Sequence, residues 1–363
     1  VIPQRHGGNL RDIIPLCTRR EGEIRDFSVN THPYGPHPAA AAAARAALEH
    51  MDRYPDASSV PLAEAVAAAH GLTLAHVVPG NGAAELIDLL PRALDMHRAV
   101  VVSPTFGEYA DAVCRGGGRV IELVRPPEAP LPVAALLQCI TRERPDAVFL
   151  CSPNNPTGER LPDAALHAVL GACAAAGTVL VLDEAFVEYD PLGSRINLVT
   201  ELTNLVVLRS LTKFFGLAGL RVGYLAAAPA LARRVNRVRP PWAVNGPAAA
   251  AAVACVGDGE YVQREQRRMA QERQVFAGKL EQTGLTPLPS DANFLLCRLP
   301  DGVSADTLYP ALAEDGFLIR HCGSFGLGNA YIRLRVHRPE VNELLLERLR
   351  KHLATSLHPL ATP

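Results

Sequence analysis

Three short stretches carry side chains that could do chemistry together. Ser210-Leu211-Thr212-Lys213 follows the apolar run 205–208, and Arg221 comes soon after. A lysine directly behind a buried strand is unusual, because lysine is almost never fully buried unless its charge or its amine is used. The apolar run 179–182 ends in Asp183-Glu184, and a further run through Phe149 feeds Ser152-Pro153-Asn154-Asn155-Pro156-Thr157-Gly158. If each run is a strand of one open α/β sheet, their carboxyl ends share a crevice, which is where such sheets bind ligands. Asn155, Asp183 and Lys213 would then face one another.

An imine-forming lysine needs an electrophilic carbonyl partner, and the commonest electron sink of that kind is pyridoxal phosphate. This cofactor asks for an acid at its ring nitrogen, which Asp183 offers, and a donor to its phenolic oxygen, which Asn155 offers. It asks for a flat face to stack on, and Phe106 is available. Its phosphate needs a cradle. Gly82 and Ala83 supply N–H groups at a helix start, Ser210 a hydroxyl and Arg221 a bidentate guanidinium. Each residue alone has a plainer reading: Asp183 as a helix cap, Lys213 as a surface lysine, Arg221 as an ion-pair partner. Five demands met by one chain, the imine-forming lysine included, make those readings poor.

The elements that must position these groups are legible as patterns. Strand-like runs alternate with helical ones from about residue 76 to 226: helix at 83–90, strands at 98–103 and 119–124, helix at 133–142, strand at 146–151 and helix at 164–176 closed by Gly177. This predicts a mostly parallel, doubly wound sheet. Before it, 26–30 reads as a short strand, 39–51 and 61–70 as helices, with Ser58 or Ser59 as cap and Gly71 as stop. After residue 227 the pattern changes to helices, in two pieces around Gly257 and Gly259, and to strands at 293–298 and 331–336. The division expected is an N-terminal arm with part of a small domain at 1–45, a large cofactor-binding domain at 46–245 and a small α+β domain at 246–363. His6-Gly7-Gly8-Asn9 reads either as a tail or as backbone able to close over an anion.

The 363 residues are 48% apolar and 20% charged with a net charge of −1. Near-zero charge argues against nucleic acid or an anionic membrane as the main partner. The eight cysteines show no CxxC and no zinc spacing, so reduced buried thiols in a cytoplasmic protein are expected and no metal.

Asn154-Asn155-Pro156-Thr157-Gly158, Asp183-Glu184-Ala185-Phe186 and Ser210-Leu211-Thr212-Lys213 with Arg221 closely resemble fold-type I, class I/II aminotransferase-like enzymes over essentially the whole chain. The resemblance implies a pyridoxal-phosphate enzyme and a homodimer with shared active sites, in which Tyr54 reaches the cofactor phosphate of the neighbouring subunit. Two branches compete. Histidinol-phosphate aminotransferases, working with glutamate and 2-oxoglutarate, are similar in length and motifs. Threonine-phosphate decarboxylases of the cobalamin pathway resemble the chain more closely, at His6-Gly7-Gly8-Asn9, Phe27-Ser28-Val29-Asn30, Arg53-Tyr54-Pro55-Asp56 and Pro241-Trp242-Ala243-Val244-Asn245. They also tolerate Phe186, where aminotransferases usually place a tyrosine. That branch implies a phosphorylated amino-acid substrate, threonine phosphate or its relative serine phosphate, lined by His6, Gly7, Asn30, Asn155, Arg320 and Arg333, with the amino-terminal arm acting as a lid. Arg320 and Arg333 both emerge from apolar runs, where an arginine wants an anionic partner. Arg333 is expected on the carboxylate and Arg320, His6 and Gly7 near the phosphate. A regulatory cofactor-binding module is a third possibility, weakened by the lack of a basic helix-turn-helix appendage.

Overall fold

The computed structural model describes residues 6–8, 10, 17 and 23–357. In chain order, β1 (Arg25–Asp26) precedes α1 (Pro38–Ala47) and α2 (Val60–His70). The alternating part follows: β2 (Val77–Gly80), α3 (Ala83–Ala93), β3 (Arg98–Ser103), α4 (Glu108–Arg115), β4 (Arg119–Val124) and α5 (Val133–Glu143). It continues through β5 (Ala147–Cys151), α6 (Asp163–Ala176), β6 (Val179–Asp183), β7 (Leu205–Ser210) and β8 (Gly223–Ala227). Then come α7 (Pro229–Val238), α8 (Gly246–Val253), α9 (Gly259–Glu281), β9 (Thr286–Pro287) and β10 (Phe294–Arg298). The described chain closes with α10 (Ala305–Glu314), β11 (Phe317–Leu318), β12 (Arg320–His321), β13 (Tyr331–Arg335) and α11 (Pro339–Leu357).

Seven strands form the central sheet in the order β2-β8-β7-β6-β5-β3-β4. Neighbours from β7 through β6, β5 and β3 to β4 are parallel, and β8 runs antiparallel to both β7 and β2. Both faces of the inner sheet are covered, which is why β5, β6 and β7 read as apolar runs rather than alternating ones, whereas the edge strand β4 is partly exposed. In β5, Ala147 and Phe149 pack with α3, α4 and α7 on one face, while Val148 and Leu150 pack with α5 and α6 on the other. Register brings the parallel carboxyl ends together: Cys151 lies opposite Asp183 and Asp183 opposite Leu208, while the amino end of the antiparallel β8, Gly223, lies opposite Ser210. The second sheet, β12-β13-β10-β9, is antiparallel and lies Arg320 directly opposite Arg333.

Three expectations need correction. The strand expected at 26–30 ends at Asp26, because the Asp26 carboxylate accepts from Ser28 N (2.7 Å) and Ser28 Oγ (2.6 Å) and turns the chain. The cap of α2 is neither serine hydroxyl. Ser59 sits at the N-cap with φ +57° and its hydroxyl makes no cap bond, while the Asp56 carboxylate accepts from Ser58 N and Val60 N. The helix expected at 39–51 tightens into a 3-10 turn over Leu48–His50. Gly71 does stop α2, at φ +64°.

Candidate active site

The carboxyl ends of β5, β6 and β7 and one edge of the small sheet enclose a cavity of about 230 Å³. Asn155, Asp183 and Lys213 all line it. Lys213 follows β7 on a loop clasped from outside: His32 N donates to Lys213 O (3.0 Å) and His37 N to Phe215 O (3.0 Å). Gly216 makes that clasp possible, since a Cβ there would lie 2.6 Å from Gly35 O and φ is +67°. Desolvation, then the positive Arg333 and Arg221, pull the Lys213 ammonium down to about 8, against the pull of Asp183. The amine is thereby poised to act as a nucleophile near neutral pH.

Asp183 is buried at the end of β6, and that burial raises its pKa. Two donated hydrogen bonds push the other way and favour the carboxylate: Tyr109 Oη donates to Oδ2 (2.6 Å) and Ala185 N to Oδ1 (2.9 Å). Tyr109 is fully buried, stacks on Phe149 with ring centroids 5.4 Å apart and meets Phe106 edge to face at 5.6 Å. Phe106, at the cavity wall, is thus pinned by the same tyrosine that supports the acid. Asn155 sits on a turn fixed by its neighbour: Asn154 Nδ2 donates to Pro104 O and Thr157 Oγ1, and Thr105 Oγ1 donates to Asn154 Oδ1. Arg333 Nη1 donates to Asn155 Oδ1, so the Asn155 amide nitrogen is the end left to face a ligand.

At the other end, α3 begins at Ala83 with Gly82 as N-cap and no side-chain cap. Its first N–H groups are the orphans that suit an anion. Gly82 is not on the cavity wall itself; it backs Arg221, and a Cβ at 82 would lie 2.7 Å from Arg221 Nη2. A Cβ at Gly223 would come within 2.9 Å of Ala83 N. Ser210 Oγ lies 2.7 Å from Thr212 Oγ1, and Ser210, Ala83 and Arg221 line the cavity. Arg221 adopts φ +59°, an uncommon conformation for a residue with a side chain. This concave arrangement of backbone donors, a hydroxyl and a guanidinium fits a phosphate.

The substrate residues expected from the sequence also converge. Gly8 N donates to Ser28 Oγ (2.8 Å), and Gly7 rests on Ser28 so closely that a Cβ would lie 2.4 Å from Ser28 O. His6 Nε2 lies 3.1 Å from Glu108 Oε1, its ring 6.2 Å from Phe106. His6 and Gly7 therefore form part of the wall; Asn9 lies outside the described residues. Asn30 is buried, and its Oδ1 makes no hydrogen bond among the described residues. Arg333 also donates through Nη2 to Ser28 O (2.7 Å), and Arg320 through Nη2 to Ser324 Oγ (2.6 Å). Desolvation and the facing Arg320 pull Arg333 down to about 9, a penalty that an anion between them would reverse. Arg335 shares their strand face but donates to Thr31 Oγ1 away from the cavity. Tyr54 is outside it, 83% exposed and packed on Trp242 at 5.1 Å.

Sequence reasoning missed Tyr109, Ser28, Ser324 and Phe325. Tyr109 follows Phe106 by one helical turn, a spacing that could have flagged it. The other three lie on loops that only the tertiary fold brings to the cavity.

The family profile of aminotransferase class I and II matches residues 23–349. The chain belongs to this family. It is 34% identical to histidinol-phosphate aminotransferase 2 of Archaeoglobus fulgidus, over 91% of this chain and 93% of that one. It is 33% identical to threonine-phosphate decarboxylase of Salmonella typhimurium, over 96% of each. The histidinol-phosphate aminotransferase of Sinorhizobium meliloti, solved in complex with pyridoxal-5'-phosphate, superposes with a TM-score of 0.83 at 27% identity, covering 91% of this chain and 90% of that one. Class I and II aminotransferases are pyridoxal-phosphate dependent, and this chain is an enzyme of that fold-type I group. Histidinol-phosphate aminotransferases predominate among the similar proteins. All eight cysteines are free, five of them buried, and no helix among the described residues is long and apolar enough to cross a membrane.

Proposed function

We propose that this enzyme decarboxylates threonine phosphate, releasing carbon dioxide and leaving aminopropanol phosphate. One observation carries the reading: two buried guanidinium groups, Arg320 and Arg333, face each other across β12 and β13 beside His6 and Gly7. Threonine phosphate offers a carboxylate and a phosphate in one small molecule, and such a pair of cations suits two anions. Phe186 adds support. It lines the cavity as a buried ring edge-on to Phe294 at 5.1 Å, with no hydroxyl where aminotransferases usually carry one.

Pyridoxal phosphate supplies an aldehyde for amines and an electron sink for the pair released when a bond at the substrate Cα breaks. The chain supplies the rest. Ala83 N–H, Ser210 Oγ and Arg221 would hold the cofactor phosphate, with Gly82 behind Arg221 and its own N–H already donated to Gly80 O (2.8 Å), and Phe106 would stack on the ring. Asp183 would keep a proton on the ring nitrogen, and the Asn155 amide would donate to the phenolic oxygen. Arg333 holds the substrate carboxylate, with Arg320, His6 and Gly7 at its phosphate and Asn30 alongside. These contacts would orient the substrate about Cα, and that orientation would decide which Cα bond breaks. As an ammonium, Lys213 Nζ would deliver a proton to Cα in place of the departed carboxylate and be left as the neutral amine.

A second reading is favoured by the relatives: transamination of histidinol phosphate with glutamate and 2-oxoglutarate. The same arginine pair would accept the two carboxylates of glutamate. The protein's domains are assigned as 1–45, 46–245 and 246–363, and it works as a homodimer in which Tyr54 reaches the partner's cofactor phosphate. The free thiols suit a reducing, cytoplasmic setting. The deciding assay gives the holoenzyme threonine phosphate and follows carbon dioxide, and in parallel histidinol phosphate with 2-oxoglutarate and follows glutamate. Carbon dioxide release without amino transfer is expected; the reverse pattern replaces the first reading with the second.

A further inference from the structure

The turn between β12 and β13 belongs to neither strand, yet it touches both arginines. It is a 3-10 turn, Gly323–Phe325, closed by Gly326 at φ +77°. His321 ties it down: Gly323 N donates to His321 Nδ1 (3.0 Å), and His321 Nε2 faces Asp306 Oδ1 at 3.1 Å. Gly323 is needed there, since a Cβ would lie 3.0 Å from the His321 ring. The turn then presents two side chains to the cavity. Ser324 Oγ accepts from Arg320 Nη2. The Phe325 ring packs on the small cluster of Leu288, Leu296 and Cys322, and its face lies 5.1 Å from the Arg320 guanidinium carbon and 5.8 Å from that of Arg333.

Two like charges directly opposite on neighbouring strands repel. Here each guanidinium rests within about 6 Å of the centre of the same aromatic ring, the distance at which a ring attracts a cation. Arg333 has a second ring behind it, Phe294 at 5.1 Å. Each guanidinium is also fixed by hydrogen bonds, Arg320 by Ser324 and Arg333 by Ser28 O and Asn155. The ring is therefore a shared wall for the two anion sites.

We infer that Phe325 is a specificity-determining residue: its ring, held on the tied turn, sets the separation of the Arg320 and Arg333 guanidinium groups and so the distance between the two anions of the substrate that the pocket accepts. The inference rests on the reading of this pocket as a site for a substrate with two anions. The substrate class is an amino acid phosphorylated on its β-carbon oxygen. A homologue with one more carbon before the phosphate overreaches the pair. Phe325 is a positioning residue and takes no part in bond breaking.

The test compares the wild-type holoenzyme with Phe325→Leu and Phe325→Tyr on threonine phosphate and on homoserine phosphate, which is longer by one carbon between the anions. Leucine keeps the apolar packing and loses the aromatic face; tyrosine keeps the face. For Phe325→Leu the KM for threonine phosphate rises about tenfold with kcat nearly unchanged, while homoserine phosphate loses far less. Phe325→Tyr behaves as wild type, and all three proteins keep the same cofactor absorbance and Tm. An equal loss on both substrates, a fall in kcat at constant KM, or no change overturns the inference. If the leucine variant does not fold or loses cofactor, Phe325→Met takes its place in the same comparison. If the wild type turns over neither compound, the proposed reaction fails. The inference is then read from their dissociation constants, measured by titrating the cofactor absorbance: a selective loss in the leucine variant upholds it and a uniform or absent change overturns it.

Discussion

Lys213 shows how one side chain's state follows from its neighbours. Burial disfavours its ammonium, Arg333 and Arg221 add repulsion, and Asp183 only partly offsets them, so the folded value falls from 10.5 to about 8. The neutral amine, the form that attacks an aldehyde, is therefore abundant well below the pH at which an ordinary lysine releases its proton. We expect the apo-protein to capture pyridoxal phosphate at a rate that climbs with pH up to about 8 and then levels, followed by the growth of the cofactor's absorbance band after rapid mixing. A rate still climbing toward pH 10 would mean that the amine is not depressed. The stability side has a definite sign. Between about 8 and 10.5 the unfolded chain holds this proton and the folded chain does not, so this group makes the apo-protein more stable as pH rises through that window. Asp183 shows the converse balance, in which burial pushes one way and two donated hydrogen bonds push the other.

Among the elements, the strands of the central sheet were the most legible in the sequence, because a strand buried on both faces must be apolar at every position. That run-length signal placed Asn155, Asp183 and Lys213 at strand ends, where the structure has them. β8 was not legible: Gly223-Tyr224-Leu225-Ala226-Ala227 is short and starts on glycine, and nothing local says that it runs antiparallel between β2 and β7. The turn carrying Phe325 was equally silent, since its importance lies in what β12 and β13 place beneath it. Gly223 has a job that only the pairing reveals. It lies opposite both Gly80 and Ser210, and an added Cβ would sit 2.6 Å from Arg209 O, 2.9 Å from Ala83 N and 3.2 Å from Gly82 C, all backbone atoms that cannot step aside. Gly223→Ala should thus push the start of α3 away from β8. The expected result is a loss of about 1–3 kcal/mol in stability by denaturant titration, the usual range for overpacking, together with weaker binding of pyridoxal phosphate by absorbance titration. Gly219→Ala is the control, because nothing lies within 4 Å of its added Cβ. If the two variants behave alike, the close approach of β8 to α3 is not what shapes the phosphate cradle.

At the scale of the whole molecule, the cavity is closed by two parts of the chain that hold each other. Arg333 of the small sheet reaches Asn155 of the large one, Asn293 Nδ2 donates to Asn30 O (3.0 Å), and Arg335 donates to Thr31 Oγ1 (2.7 Å). One expected cofactor contact does not come from within the chain. Tyr54 lies outside the cavity with 83% of its surface exposed, its ring tilted against that of Trp242, whose backbone N–H is anchored to Ala57 O at 3.0 Å. Met51, at 77% exposure, lies on the same short connection. Exposed aromatic and apolar side chains held in place are what a second copy would cover, and in the homodimer proposed above each Tyr54 serves the other subunit's phosphate site. Hybrid dimers test this directly. Lys213→Ala should abolish activity, and Tyr54→Ala should weaken it severely. Refolded together, the two variants form hybrids in which one site combines both defects and the other combines a wild-type Lys213 with a wild-type Tyr54. Activity should therefore return to about a quarter of wild type, the share set by random pairing and one restored site per hybrid. If Tyr54 serves its own subunit, every site in the mixture keeps a defect, and mixing restores nothing.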